Sequence, residues 1–329
     1  MISRRTLLTA GLVATVGAFA SGCARQLPVV EPDTQTTPTP TPNLDQTRID
    51  RILDDLTSVL THADETRDVA DLARRVASPA KELRAGLYST SKVTSEPVMP
   101  LDIDRSTVTV SKAVAWPRAI VASTTATDDT LPALLLITQA EPRADYVLEN
   151  WVRLFPGSSV QTYQISQGSD LIPEDSTEFL ATPRDAVNAW VARLDGTTTD
   201  GVPLGDDVFT TDYQSTRDKL ADAAKEAGTV TYSATTADMP LTTFLLADGS
   251  ALAVTALRYT VTYTRTVDRA VLRVKGTPGS FLDDDGKVGD QPVEVRYLVS
   301  VAIRIPPATS SGLIQAIGAE RSLQSVARV

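Results

Sequence analysis

The chain has 329 residues, 31 Lys and Arg against 41 Asp and Glu, a formal charge of −10, one histidine and one cysteine. That length suggests about two domains at roughly 100–200 residues each, and an acidic chain with no basic block repels phosphate backbones, which argues against a nucleic-acid partner. The scarcity of histidine and cysteine removes most metal and nucleophile chemistry, and no glycine-rich phosphate loop, CxxC or HExxH pattern occurs.

The N-terminus reads MISRRTLLTAGLVATVGAFASGC. Arg4 and Arg5 give a positive start, and Leu7 to Ala20 follow without a charge. This run falls short of the ~20 apolar residues that a spanning helix needs, so residues 1–22 read as a signal peptide. Ala20, Ser21 and Gly22 put small residues ahead of Cys23, which resembles the bacterial lipobox, with Ala20 where a larger aliphatic is usual. Cleavage is then expected between Gly22 and Cys23, after acylation of the Cys23 sulfur. Diacylglycerol on the sulfur, with an amide-linked acyl chain, would give the two-chain attachment that a single chain cannot. An ordinary secretory signal with an incidental cysteine is the alternative. Lipid on the thiol also accounts for an exported chain without a disulfide partner. The segment SRRTLL resembles a twin-arginine signal, with Thr9 where lysine is frequent, and two arginines suit the general export route equally well.

Residues 24–43, ARQLPVVEPDTQTTPTPTPN, cannot build a core and favour polyproline geometry at ~3.1 Å per residue. Residues 23–43 therefore read as a lipidated cysteine and a tether reaching on the order of 60 Å. Helical spacing follows: Ile49, Ile52, Leu53, Leu56 and Leu60 form one stripe, and Val69, Leu72 and Val76 continue it. Ser78-Pro79 predicts a cap and first-turn proline for a short helix through Leu83. Beyond Val93 the pattern becomes β, over 106–116, 119–124 and 133–138, while residues 145–155, DYVLENWVRLF, fit either period. A polar hinge is expected over 166–181. Thr182-Pro183-Arg184-Asp185 opens a helix whose buried face is Val187, Trp190, Val191 and Leu194. Another helix is expected from Asp212 to Ala227, ending at Gly228. Strict alternation over 257–267 and 293–305 predicts long antiparallel strands.

Each half thus reads as helices followed by antiparallel strands, an α+β layer architecture with domains over 44–170 and 180–329. This order resembles the cone-shaped fold of nuclear transport factor 2 and the SnoaL-like cyclases, present twice, each cone having N-terminal helices packed on a curved antiparallel sheet. The lipobox, the Pro-Thr tether, Trp116-Pro117-Arg118 leading a strand and the Thr-rich strand 257–267 are together similar to a group of uncharacterised actinobacterial lipoproteins. The resemblance implies location and shape; the cone fold hosts both enzymes and inert modules, so it lends no chemistry.

The candidates for chemistry are few. His62, in THADETRD, reads as a solvated helix-end residue rather than a general base. FLDDDGKVGD (281–290) is charge-dense, but neither glycine places oxygens at alternating calcium-ligand positions, so a hairpin turn is expected rather than a weak cation site. Tyr232, Tyr259, Tyr263 and Tyr297 would line a cone cavity or fill it as core, with Glu294 the one acid near a strand that could partner them. Trp116, Trp151 and Trp190 read as core. No catalytic, cofactor or metal residue is assigned. The expected role is non-catalytic binding or assembly on the outer face of the cytoplasmic membrane, with the membrane, an envelope protein or an apolar ligand as partner. A small acid–base enzyme with a carboxyl/tyrosine pocket and a lipid or glycolipid carrier are the alternatives.

Overall fold

A computed structural model describes residues 41–42, 44–112, 115–127, 130–197, 199–236 and 238–329. The expected signal peptide, the cleavage point between Gly22 and Cys23, and the tether through residue 40 lie outside the described residues.

Helix α1 (Gln46–Thr66) starts where Asp45 accepts from the Arg48 amide at 2.9 Å, and it buries Ile49, Leu53, Leu56, Leu60 and Ala63 as one stripe. It stops at Arg67, whose left-handed φ of 54° turns the chain out of the helix. The apolar spacing beyond it is therefore not helical: Val69–Leu72 is one 3-10 turn, and Val76 bridges to Leu148. Helix α2 (Ala80–Thr94) runs on well past the expected end at Leu83. Pro79 rather than Ser78 occupies its N-cap position, with no side-chain cap. Its buried face mixes Ala80, Leu83 and Tyr88 with Arg84 and Ser91, so no apolar stripe marks its second half.

Four strands follow: β1 (Ile103–Val110), β2 (Arg118–Thr124), β3 (Ala133–Gln139) and β4 (Val147–Leu154). β1 lies earlier than the expected 106–116: the Ser111 amide still donates to the Ala119 carbonyl of β2 at 2.8 Å, and from there the chain pairs elsewhere, the Lys112 amide donating to the Ser169 carbonyl at 2.8 Å. The ambiguous period of 145–155 has a physical cause. Leu136 pairs with Asn150 and Ile137 with Leu148, leaving Glu149 in a bulge. That extra residue puts Leu148 and Trp151, three apart, in the same core, which mimics helical spacing. The polar stretch 166–181 bridges outward through Ser169 to Ser111, Leu171 to Phe244 and Phe179 to Pro307.

Helix α3 (Pro183–Leu194) begins as expected, with Thr182 accepting from the Asp185 amide at 3.1 Å. Helix α4 (Val208–Ala224) starts earlier than Asp212, because Asp207 caps it by accepting from the Thr210 amide at 2.8 Å. It also ends sooner. Gly228 is not its terminator but the first residue of β5 (Gly228–Thr236), where any side chain would collide with the Thr264 carbonyl across the ladder. The remaining strands are β6 (Thr242–Leu245), β7 (Ala251–Arg265), β8 (Val293–Ile305) and β9 (Gln315–Arg328). β7 starts ahead of the expected 257 because Ala251–Leu257 is buried on both faces and shows no alternation. The Asp-Gly signal at 285–286 marks a 3-10 turn, Asp284–Gly286, within a long connection from β7 to β8, not a tight hairpin.

The protein is α+β. Among the described residues the strands form one antiparallel nine-stranded sheet in the order β1-β2-β3-β4-β9-β8-β7-β5, with β6 added to β7. The two halves meet where Arg153 and Leu154 of β4 pair with Ala319 and Gly318 of β9. Among the described residues three cores hold the layers. Helices α1 and α2 cover one face of β1–β4, and α3 and α4 cover one face of β5, β7, β8 and β9. In the third core, the faces opposite the helices oppose each other, Val121, Leu134, Leu136 and Val152 against Phe244, Leu252 and Val254. Helix α2 also lies on β9, where Gln324 donates to the Glu82 carbonyl at 3.2 Å.

Candidate functional site

The expected tyrosine chamber is built and filled. Tyr232, Tyr259 and Tyr297, on β5, β7 and β8, stack in a row with centroids 6.2 and 4.7 Å apart. Tyr213 of α4 meets Tyr232 and Tyr259 edge-on at 5.2 Å. Arg321 of β9 donates to the Tyr259 hydroxyl at 3.0 Å and lies 5.3 Å over the Tyr297 ring. Burial pushes the Tyr232 phenol up to about 12 and raises Tyr213, Tyr259 and Tyr263 as well, so these rings stay neutral packing groups. Glu294 accepts from Arg296 at 2.6 Å on its own strand. The carboxylate that does meet a chamber tyrosine is Asp195, which accepts from Tyr213 at 3.2 Å and from the Ala234 amide at 2.9 Å.

The other sequence candidates are peripheral. His62 is an exposed residue of α1, its side chain 65% accessible, with Asp71 at 3.5 Å. In the acidic connection, Asp285 is held by Arg273 at 2.9 Å and Asp290 is paired with Arg265. Among the described residues no group of three or more His, Cys, Asp or Glu is placed to hold a metal ion. Trp151 and Trp190 are core as expected. Trp116 is not; it is half-buried in a bend, with the Arg118 guanidinium 4.0 Å over its ring. It borders a cleft of about 560 Å³ together with Ile172, Pro173 and Leu241.

The most chemically distinctive place lies elsewhere, where the last turns of α2 and the segment 95–101 meet β4 and β9. A half-open crevice of about 250 Å³ is lined there by Arg84, Trp151, Arg153 and Glu320, with Leu87, Val98, Met99 and Leu101 as apolar walls. Arg84 is 1% exposed. Its Nη1 donates to the Met99 carbonyl at 3.0 Å and lies 3.4 Å from Asp64, while the guanidinium sits 5.2 Å from the Trp151 ring centroid. Among the described residues, its Nε and Nη2 have no hydrogen-bond partner. Those two nitrogens share one edge of the guanidinium, the planar fork that suits a carboxylate.

Behind Arg84, Tyr88 donates to Asp64 at 2.7 Å. Burial raises the Asp64 carboxyl from its ordinary value, opposed by Arg84 and by the Tyr88 hydrogen bond, and burial lowers Arg84, opposed by Asp64. Across the crevice, Glu320 pairs with Arg153, whose Nε is 3.4 Å from Oε2, yet Oε2 makes no hydrogen bond among the described residues. Burial raises Glu320 too, against the pull of Arg153 and Arg84.

Sequence reasoning missed this site because Arg84 in KELRAGLYS looks like an ordinary exposed cation. The available signal was α2 continued to Thr94: Ala80, Arg84, Tyr88 and Ser91 then fall on one face at spacings of a helix interior. The arrangement offers two donors, one acceptor and apolar walls, which suits recognition. Comparison of the chain with protein-family models, with curated proteins and with solved structures finds no match.

Proposed function

We propose that this protein is a lipid-anchored lipoprotein of the cell envelope, exported to the outer face of the cytoplasmic membrane. There it acts as a non-catalytic binding protein whose ligand enters the Arg84 crevice. The anchor is Cys23, and the tether carries the folded part away from the lipid surface. One observation carries the binding role: Arg84, 1% exposed and with two guanidinium nitrogens unpartnered among the described residues, is one of the residues that line the crevice. Leaving buried donors unpaired costs about 1–3 kcal/mol, and a ligand that supplies acceptors offsets that cost. The recurring order, α1 and α2 before β1–β4 and α3 and α4 before β5–β9, supports reading the halves as tandem cone-shaped units of the nuclear transport factor 2 type.

The second reading, an acid–base enzyme, is favoured by the Asp64–Tyr88 pair, a buried carboxyl beside a tyrosine. Both groups stand behind Arg84, however, and the crevice lining includes neither. A lipid or glycolipid carrier fits the crevice less well, since drug-sized ligands occupy roughly 300–1,000 Å³.

Native mass spectrometry of the full chain extracted from membranes, beside its Arg84→Lys variant, tests the proposal. Acyl mass on Cys23 and a small ligand lost in the variant are expected. An unacylated thiol overturns the anchor, and equal retention by the variant overturns the crevice as the binding site.

A further inference from the structure

We infer that the Arg84 crevice is a receptor for a free α-amino acid with a small apolar side chain; this rests on the binding role proposed above. Four features of the crevice converge on that ligand class.

The first is the donor fork. Nε and Nη2 of Arg84 form a flat two-donor edge without a hydrogen-bond partner among the described residues, while Nη1 is fixed by the Met99 carbonyl and Asp64. Such an edge donates to two oxygens of one planar group, and a carboxylate supplies them. The second is the acceptor. Glu320 lines the same crevice, and its Oε2, ion-paired with Arg153 Nε at 3.4 Å, makes no hydrogen bond among the described residues. A ligand that satisfies both must carry a donor close to its carboxylate, as an α-ammonium is.

The third is charge. Two arginines, Arg84 and Arg153, face two glutamates, Glu96 and Glu320, so the lining is balanced. Thr90, Ser91 and Thr94 belong to the C-terminal end of α2, where the helix dipole favours a cation and opposes a dianion. A zwitterion matches this field, and a phosphate dianion would meet Glu320 and the helix end unfavourably. The fourth is size and polarity. About 250 Å³ with Leu87, Val98, Met99 and Leu101 on the walls fits a compact branched side chain.

The test is isothermal titration of the full chain in detergent with L-valine and three probes that each lack one feature. Isovalerate lacks the ammonium, isobutylamine lacks the carboxylate, and inorganic phosphate is an anion with neither the ammonium nor the apolar side chain. Saturable valine binding is expected, with isovalerate and isobutylamine each at least about tenfold weaker, the scale of one lost charge-assisted hydrogen bond. Arg84→Lys keeps the charge but loses the fork; it should weaken valine and isovalerate about tenfold and leave isobutylamine unchanged. Glu320→Gln, which preserves side-chain shape, should weaken valine and isobutylamine and leave isovalerate unchanged. Absence of saturable heat with valine, equal affinity for valine and isovalerate, or tighter binding of phosphate would each overturn the assignment. If valine fails while native mass spectrometry still shows an Arg84-dependent small ligand, the amino-acid assignment alone falls. Failure of both removes the binding site itself.

Discussion

Gly318 on β9 faces the backbone of Arg153 on β4 so closely that a Cβ built on it would stand 2.7 Å from the Arg153 carbonyl oxygen. This is the place where the two halves of the sheet are joined, through the pairs Arg153↔Ala319 and Leu154↔Gly318. The obstacle is main chain, which cannot rotate aside as a side-chain tip can. Gly318→Ala is therefore expected to destabilise the fold by about 1–3 kcal/mol, the range for overpacking a filled interior. A thermal midpoint lowered by roughly 2–4 °C per kcal/mol would register it. An unchanged midpoint would show that β4 and β9 separate freely at this point.

Asp207 serves two elements at once. It caps α4 by accepting from the Thr210 amide, and its other oxygen accepts from the Trp190 indole at 2.8 Å and from the Thr210 hydroxyl. Trp190 is 1% exposed, so its N–H has no water to fall back on. Asp207→Ala removes a cap worth about 0.5–2 kcal/mol and orphans a buried donor at about 1–3 kcal/mol. A loss of about 1.5–5 kcal/mol in urea unfolding is expected from these two terms. Asp207→Asn keeps one acceptor and should lose about half as much. Equal losses in the two variants would mean that charge, not hydrogen bonding, is what Asp207 supplies.

The charges behind the crevice are coupled, and their coupling is measurable. Removing one partner of a buried pair typically costs about 3–5 kcal/mol, because the other is left uncompensated. Arg84→Met leaves Asp64 with Tyr88 but without its ion-pair partner, and a loss on that scale is expected. Adding Asp64→Asn removes the stranded charge, so the double variant should regain about 0.5–3 kcal/mol relative to additivity. Strictly additive losses would show that Arg84 and Asp64 do not sense each other.

How much of this was legible in the sequence depends on which force shaped each element. Helices α1 and α3 carried both an apolar stripe and a capping side chain, Asp45 and Thr182, and the sequence reading finds them. The later half of α2 was hidden because its buried face holds Arg84 and Ser91, polar groups that tertiary partners satisfy. β9 was missed for a related reason: QAIGAERSLQSVAR places Glu320 and Arg321 against partners on other elements, Arg153 and Tyr259, and pattern alone counts them as surface. Gly228 was misread because a glycine that ends a helix and one that admits a neighbouring strand look identical in one dimension. The tyrosine row was anticipated as core or cavity lining, and packing between α4 and the sheet makes it core.

Glu149 gives the clearest pH signature. It occupies the bulge of β4 and accepts from the Thr138 hydroxyl at 2.8 Å and the Thr242 hydroxyl at 3.2 Å. Burial raises its carboxyl above the ordinary 4.5, and the two hydroxyls only partly offset this. In the window above 4.5 and up to the raised value, the folded state holds a proton that the unfolded state has lost. Stability is then expected to fall as pH rises through that window, since ∂ΔG/∂pH is negative wherever the native state binds more protons. The contribution is fully present below 4.5 and lost once Glu149 ionises in the folded protein. Asp64 and Glu320, also raised by burial, act in the same direction. Glu149→Gln keeps the shape and an acceptor for a threonine hydroxyl while removing the ionisation. It should therefore be more stable than the parent near pH 7 and show a shallower decline between about pH 4.5 and neutrality. Urea midpoints taken across that range decide it: parallel curves for the parent and Glu149→Gln would place the pH dependence elsewhere.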